Sequence, residues 1–506
     1  MRSTPRDFGQ LAYCIFFLQG VGQLFSWNVI INAEDYFGRR FCGTVFERSF
    51  ENSFVFGYNI AAIVGLAIAL RYQDRWNLSW RIMGSLAVSA TAFVVCGMFV
   101  TMEQVDTALL FFSTMGLILA LGLAVACLQG GLFSMATSFP PKYTQAMMAG
   151  QGLAGVVVAL AGLFTALAGP DDQSCIPDHD QSDTTVSASS CPAYTRDWGT
   201  LVYFTIAVVV LLGCLVTYPV LQRLPVTIFY TCAANDFDGF MDDVASKGDV
   251  KDYDNIGGGD WLTGSSSMVQ SNTNMQSSMS VRLVEAPPLR LLPVDQTLSD
   301  SAVHQEPQGR DLVTNSRSDE DTVDVLTNSL GGIQSKLAPI LPYAFSVFFA
   351  FMVTLSVFPG ATSLIVSARQ CLPGRTRFFA SDVFVLFSFV SFNAFDFLGR
   401  LAAGLSVVLP ARWLPAASIC RIVFVPLFLA CRSKNSSFPY HWLWADAFPL
   451  SIMPIFAFTN GYVGSLSMMA GSRKGAWAGT AMVLFLSGGL MAGSLLSFLV
   501  VFASTT

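Results

Sequence analysis

Charge is what this sequence has least of. Asp, Glu, Lys and Arg together make up 12% of 506 residues, where soluble domains carry roughly 25%. A shortage of that size excludes an ordinary soluble enzyme and puts most of the chain where charge is costly. Histidine is nearly absent, with three in the whole chain, and none of the eleven cysteines lies in a CxxC or a Cys/His cluster. No metal site is expected. No glycine-rich phosphate loop of the GxxxxGK[ST] type occurs, which argues against an ATP-driven pump. Basic residues form no concentrated patch, so a nucleic acid is not an expected partner. No nucleophile–base constellation is visible, so the chain does not read as an enzyme and no cofactor is expected.

What is present is hydrophobic. Apolar types reach 53%, with 43 phenylalanines, and the mean hydropathy is +0.53. A helix crosses the bilayer core with about 20 apolar residues. Runs of that kind fall at 10–33, 52–71, 82–102, 107–136, 145–169, 198–221, 337–365, 380–407, 412–431, 441–469 and 476–503. Unpaired backbone groups cannot sit in lipid, so the runs are helices. The expectation is an all-α, multi-pass membrane protein of about eleven transmembrane helices. The first run is too long for a cleaved signal and contains Gln19, Gln23, Trp27 and Asn28.

The acidity is local. Between Gln222 and Lys336 there are 17 of the 34 acidic residues and 8 of the 28 basic ones. This Ser-, Asp-, Gly- and Gln-rich stretch lacks the apolar surface needed to offset ordering entropy. It divides the chain into an N-terminal six-helix half (1–221), a disordered cytoplasmic loop (222–336) and a C-terminal five-helix half (337–506). Short-loop Lys and Arg mildly favour a cytoplasmic N-terminus and an extracellular C-terminus. On the outer side, Cys175 and Cys191 flank a polar loop as candidates for a disulfide, and Asn435-Ser436-Ser437 is a candidate glycan acceptor. The sequon at Asn77 falls inside. The plasma membrane is the default location, and a monomer the default state.

The informative residues are polar ones in spans. Asp396 and Arg400, in the eighth span, are spaced i, i+4 and share one helix face, which Asn393 joins. Each charge costs about 2.5–3.5 kcal/mol at a bilayer centre on insertion scales. A wet cavity explains the group better than a structural ion pair. Asp396 would accept from substrate hydroxyls, while Arg400 would donate to substrate acceptors and keep Asp396 ionised. In the fourth span Gln129 offers both a donor and an acceptor, suited to an interhelical bond or to a nucleobase edge. Trp27 and Asn28 in the first span suit a membrane belt or packing against a flat ring. Arg421, in the ninth span, is expected to snorkel to the inner interface. Gly150-Gln151-Gly152-Leu153-Ala154-Gly155 satisfies GxGxxG. It lies inside an apolar helix, however, so close helix packing is expected and not a dinucleotide site.

These residues also carry a resemblance. Gly20-Val21-Gly22-Gln23-Leu24-Phe25-Ser26-Trp27-Asn28 resembles the first-helix motif of equilibrative nucleoside transporters, with Ser26 where the family usually has Pro. Leu128-Gln129-Gly130 resembles the fourth-helix motif, and Tyr143-Thr144 with 150–155 the fifth. Phe358-Pro359-Gly360 resembles the end of the seventh. Phe392-Asn393, Phe395-Asp396 and Gly399-Arg400 resemble the eighth, and Thr459-Asn460-Gly461-Tyr462 the tenth. The resemblance implies a major-facilitator-like arrangement of six plus five helices around a substrate site. Leu24 and Trp27 would line the cavity, with Gln129 on the base and Asp396 with Arg400 around the sugar.

The function expected is transport of nucleosides or nucleobases, purines foremost, by alternating access. One Asp and one Arg cancel, which favours a neutral solute. Facilitated diffusion is favoured over proton symport because the Arg400 bridge opposes protonation of Asp396. A receptor built on a transporter fold is the alternative from another class.

Overall fold

A computed structural model describes residues 5, 7–47, 50–73, 75–168, 197–232, 335, 337–372, 376–405, 409–431 and 446–505. Six long helices form the N-terminal part: Leu11–Asn32, Phe50–Arg71, Leu78–Thr101, Thr107–Ala136, Pro141–Ala168 and Trp198–Arg223. Local chemistry starts several of them. Asn77, Asp106 and Asp197 each accept a backbone N–H in the first turn of the helix they precede, which satisfies donors the helix cannot.

The C-terminal part holds Leu341–Val357, Ser381–Leu405, a broken ninth span, Ala447–Ser472 and Ala476–Thr505. The ninth span runs as Leu414–Cys420, a 3-10 turn at Arg421–Val423, and Phe424–Leu429. Pro415 and Pro426 remove backbone donors on either side of that turn.

Ten described helices are long and apolar enough to cross a membrane. Ala447–Ser472 is an eleventh helix of equal length but more polar. Asn460, Ser465, Ser467 and Ser472 are each buried inside the protein. The chain is thus a polytopic helical protein, as its hydropathy predicts. One boundary differs: residues 225–232, assigned to the loop, are helical. Val226 and Thr227 are buried there, and Tyr230 packs against Phe139. Residues 233–334 lie outside those described.

The two halves repeat one packing plan. The first span packs along the fifth and the second along the fourth. The seventh packs along the eleventh and the eighth along the tenth. Each pair recurs six spans later, the signature of a parallel repeat. The third span also packs along the sixth. In the C-terminal half the ninth, its counterpart, packs on the seventh and the tenth.

Small residues set the helix separations, as expected of 150–155. A Cβ at Gly150 would collide with the Phe17 carbonyl, and one at Gly155 with the Asn393 side chain. Cys42 and Cys371 are each disulfide-bonded, a feature the sequence reading missed. Cys175, Cys191 and Asn435 lie outside the described residues.

Candidate substrate site

The eighth span brings Asp396 and Arg400 together one turn apart. Arg400 Nε donates to Asp396 Oδ2 at 2.7 Å, and both residues are 5% exposed. Protein groups take up both Asp396 oxygens and two of the three Arg400 nitrogens, and Arg400 Nη2 makes no hydrogen bond to a described residue. Asp396 Oδ1 accepts from Asn460 Nδ2 of the tenth span at 2.7 Å. Arg400 Nη1 donates to the Met148 carbonyl at 3.1 Å and to Gln151 Oε1 at 3.3 Å, both in the fifth span. Gln151 Nε2 in turn donates to Gln23 Oε1 of the first span at 2.8 Å. A further bond, Gln145 Nε2 to the Arg400 carbonyl at 3.1 Å, ties the same helices.

The pair therefore sits on the boundary between the two halves. The eighth span lies along the fifth for its whole length. Gly404 faces Gln145 near one end, and Gly152 meets Arg400 and Phe397 in the middle. Near the other end, Arg377 Nη2 donates to the Ala166 carbonyl at 2.9 Å. Glycines let the backbones approach closely enough for these bonds to form. A buried charge pair is stable only when its remaining hydrogen-bonding capacity is used, and here Arg400 Nη1 uses part of it across the interface.

The other expected site residues are placed differently. Asn393 Nδ2 donates to the Phe389 carbonyl of its own helix at 2.9 Å, and its oxygen abuts Gly155. It belongs to the helix contact and does not touch Asp396. Leu24, Trp27, Asn28 and Gln129 are partly buried. Trp27 stacks on Tyr58 with ring centroids 4.1 Å apart. The Gln129 amide makes no hydrogen bond to any described residue, so it is available to a ligand. No hydrogen bond or ring contact joins Trp27 or Gln129 to the Asp396–Arg400 pair.

Arg421 departs most from expectation. It does not snorkel: it is 2% exposed. Its Nη1 donates to the Phe456 carbonyl at 2.9 Å and to the Thr459 hydroxyl, and its Nη2 to Thr354 Oγ1 at 2.7 Å. Arg421 and Thr459 also line a cavity of about 540 Å³, walled further by Ala402, Ala417, Phe424, Phe458 and Tyr462. Four polar residues of the network carried no assigned role in the sequence reading: Gln145, Gln151, Thr354 and Asn460. Gln151 sits inside the glycine motif and Asn460 beside Thr459. A polar side chain in a span was the available signal for both.

The sequence profile described as "Nucleoside transporter" matches residues 115–502. The chain belongs to the nucleoside transporter family. It is a membrane transporter, not an enzyme. Equilibrative nucleoside transporter 1 of Homo sapiens is 26% identical, with 98% of both chains covered. Equilibrative nucleoside transporter 2 of Homo sapiens is 27% identical over the same shares. Equilibrative nucleotide transporter 1 of Arabidopsis thaliana is 24% identical, over 98% of this chain and 87% of that one. Among solved structures, the E. coli fucose:proton symporter superposes with a TM-score of 0.48 at 12% identity, covering 98% of this chain and 96% of that one.

Proposed function

We propose that this transporter carries nucleosides, purines foremost, by rocking its six-span half against its five-span half around the Asp396–Arg400 layer. One observation carries the reading: Arg400 is bound at once to Asp396 in one half and to Met148 and Gln151 in the other. A ribose offers hydroxyls to Asp396 and acceptors to Arg400. It would exchange with those interhelical bonds at the boundary that has to move. Gln129 reads the base from the opposite half, where its amide is unengaged. Leu24, Trp27 and Asn28 line the approach, and free nucleobases are secondary substrates.

Transport is facilitative in this reading. The engagement of both Asp396 oxygens, one by Arg400 and one by Asn460, supports that reading. The protein acts as a monomer in the plasma membrane, with its N-terminus and acidic central segment cytoplasmic and its C-terminus outside.

The test is uptake of a panel of purine and pyrimidine nucleosides and nucleobases at neutral and mildly acidic external pH. Saturable nucleoside uptake, equal at both pH values and without accumulation above the external concentration, is expected. Acid-stimulated accumulation would overturn the facilitative reading. Replacing Gln129 with Leu is expected to raise the half-saturating nucleoside concentration about tenfold, the worth of one or two hydrogen bonds. Ribose analogues lacking a base should be unaffected. An equal penalty for both would remove Gln129 from base recognition.

A further inference from the structure

Arg421 is a buried cation on a peripheral span, where a neutral side chain would avoid the cost of burial. Its position is built. The 3-10 turn at Arg421–Val423 interrupts the ninth span, and the guanidinium lies over the rings of Phe456 at 5.0 Å and Phe424 at 6.0 Å. From there a chain of short hydrogen bonds runs inward. Arg421 Nη2 reaches Thr354 Oγ1 at 2.7 Å, Thr354 Oγ1 meets Asn460 Oδ1 at 2.7 Å, and Asn460 Nδ2 meets Asp396 Oδ1 at 2.7 Å.

The polarity of that chain is fixed from both ends. A guanidinium only donates, and a carboxylate only accepts. Asn460 must therefore turn its amino group to Asp396 and its carbonyl oxygen to Thr354. The Thr354 hydroxyl must donate to Asn460 and receive from Arg421. The hydroxyl has one proton and a second acceptor in reach, the Ala350 carbonyl at 2.8 Å. Without Arg421, the Thr354 hydroxyl loses the donor that pins it and can turn to Ala350, and the Asn460 amide is then held from the Asp396 end alone.

We propose that Arg421 is a positioning residue for substrate binding: through Thr354 and Asn460 it fixes how Asp396 presents its carboxylate. The proposal rests on the reading of Asp396 as a substrate contact. Arg421 touches no substrate in this scheme. It sets a hydrogen-bond direction three side chains away, so its signature is a change in apparent affinity and not in the amount of protein.

The test uses the full chain in cells, with nucleoside uptake normalised to surface protein. Arg421→Met and Thr354→Val are each expected to raise KM about tenfold, as for one lost hydrogen bond to a charged group, with Vmax per surface molecule retained. Thr354→Ser keeps the hydroxyl and is expected to behave as wild type, and Arg421→Lys to recover part of the loss. The double variant Arg421→Met/Thr354→Val is expected to cost no more than either single one, because both break the same chain. Additive penalties, or an unchanged KM in Thr354→Val, would overturn the relay. Should Arg421→Met fail to reach the surface, Thr354→Val against Thr354→Ser still decides. Asp396→Asn measured in parallel separates the two levels. If it weakens binding and Thr354→Val does not, the relay fails and the Asp396 reading stands. If it leaves KM unchanged, the Asp396 reading itself fails.

Discussion

Nucleoside uptake is expected to fall to background when either Asp396 or Arg400 is replaced by Ala. Truncating one member of a buried, hydrogen-bonded charge pair at a binding site costs about 2–5 kcal/mol, a loss of at least about thirtyfold in apparent affinity. The expected loss is larger, because Arg400 also carries the bonds to Met148 and Gln151 that join the halves. Surface biotinylation separates transport from folding. Breaking such a pair leaves a bare charge and costs about 3–5 kcal/mol in stability, so the single variants are expected to reach the surface in reduced amount. The double variant Asp396→Asn/Arg400→Met removes both charges. It should restore surface delivery without restoring uptake. Near-normal uptake per surface molecule in either single variant would remove that residue from substrate binding. Asn393→Ala serves as a contrast, with a modest effect, since that amide bonds only within its own helix.

A second large effect is expected at the crossing of the first and fifth spans. Gly150→Val is expected to abolish surface expression. The added carbon would meet the Phe17 carbonyl, a backbone atom that cannot rotate away, and Gly20 faces the Met147 carbonyl in the same crossing. Overpacking a well-packed contact typically costs 1–3 kcal/mol, and two helix backbones forced apart lie beyond that range. Separation also pulls apart the Gln151–Gln23 bond, 2.8 Å long and one residue along the fifth span. Gly116→Ala, where nothing lies within 4 Å of the added carbon, is expected to be tolerated. Size-exclusion profiles of the detergent-extracted protein would check both. A monodisperse Gly150→Val protein would show that the crossing is looser than described.

The contrast between spans and partners explains what the sequence made legible. Membrane helices announce themselves locally, since lipid demands a continuous apolar run and internal backbone pairing. That is why each expected run corresponds to a described helix or a broken helix. The Asp396–Arg400 bridge was legible for the same reason, because one turn of one helix sets its geometry. Its surroundings were not. Whether Asp396 faces water or Asn460 depends on how the eighth and tenth spans cross, and that depends on glycines such as Gly399 and Gly461, which press against the opposite backbone. The same limit produced the error at Arg421. Hydropathy sets a residue's depth but not its rotation, and the 3-10 turn rotates Arg421 inward toward Thr354. Asn393 was placed with the site by helical spacing and by its motif, and its oxygen lies beside Gly155, which only the packing of the eighth span on the fifth decides.

The most direct measurement is flux of a radiolabelled purine nucleoside into proteoliposomes containing only the purified protein. The account predicts saturable entry that ends at equal inside and outside concentrations, is accelerated by unlabelled nucleoside on the far side, and is absent from Asp396→Asn/Arg400→Met vesicles. Saturable entry that persists in the double variant, or no entry for any nucleoside, would contradict it.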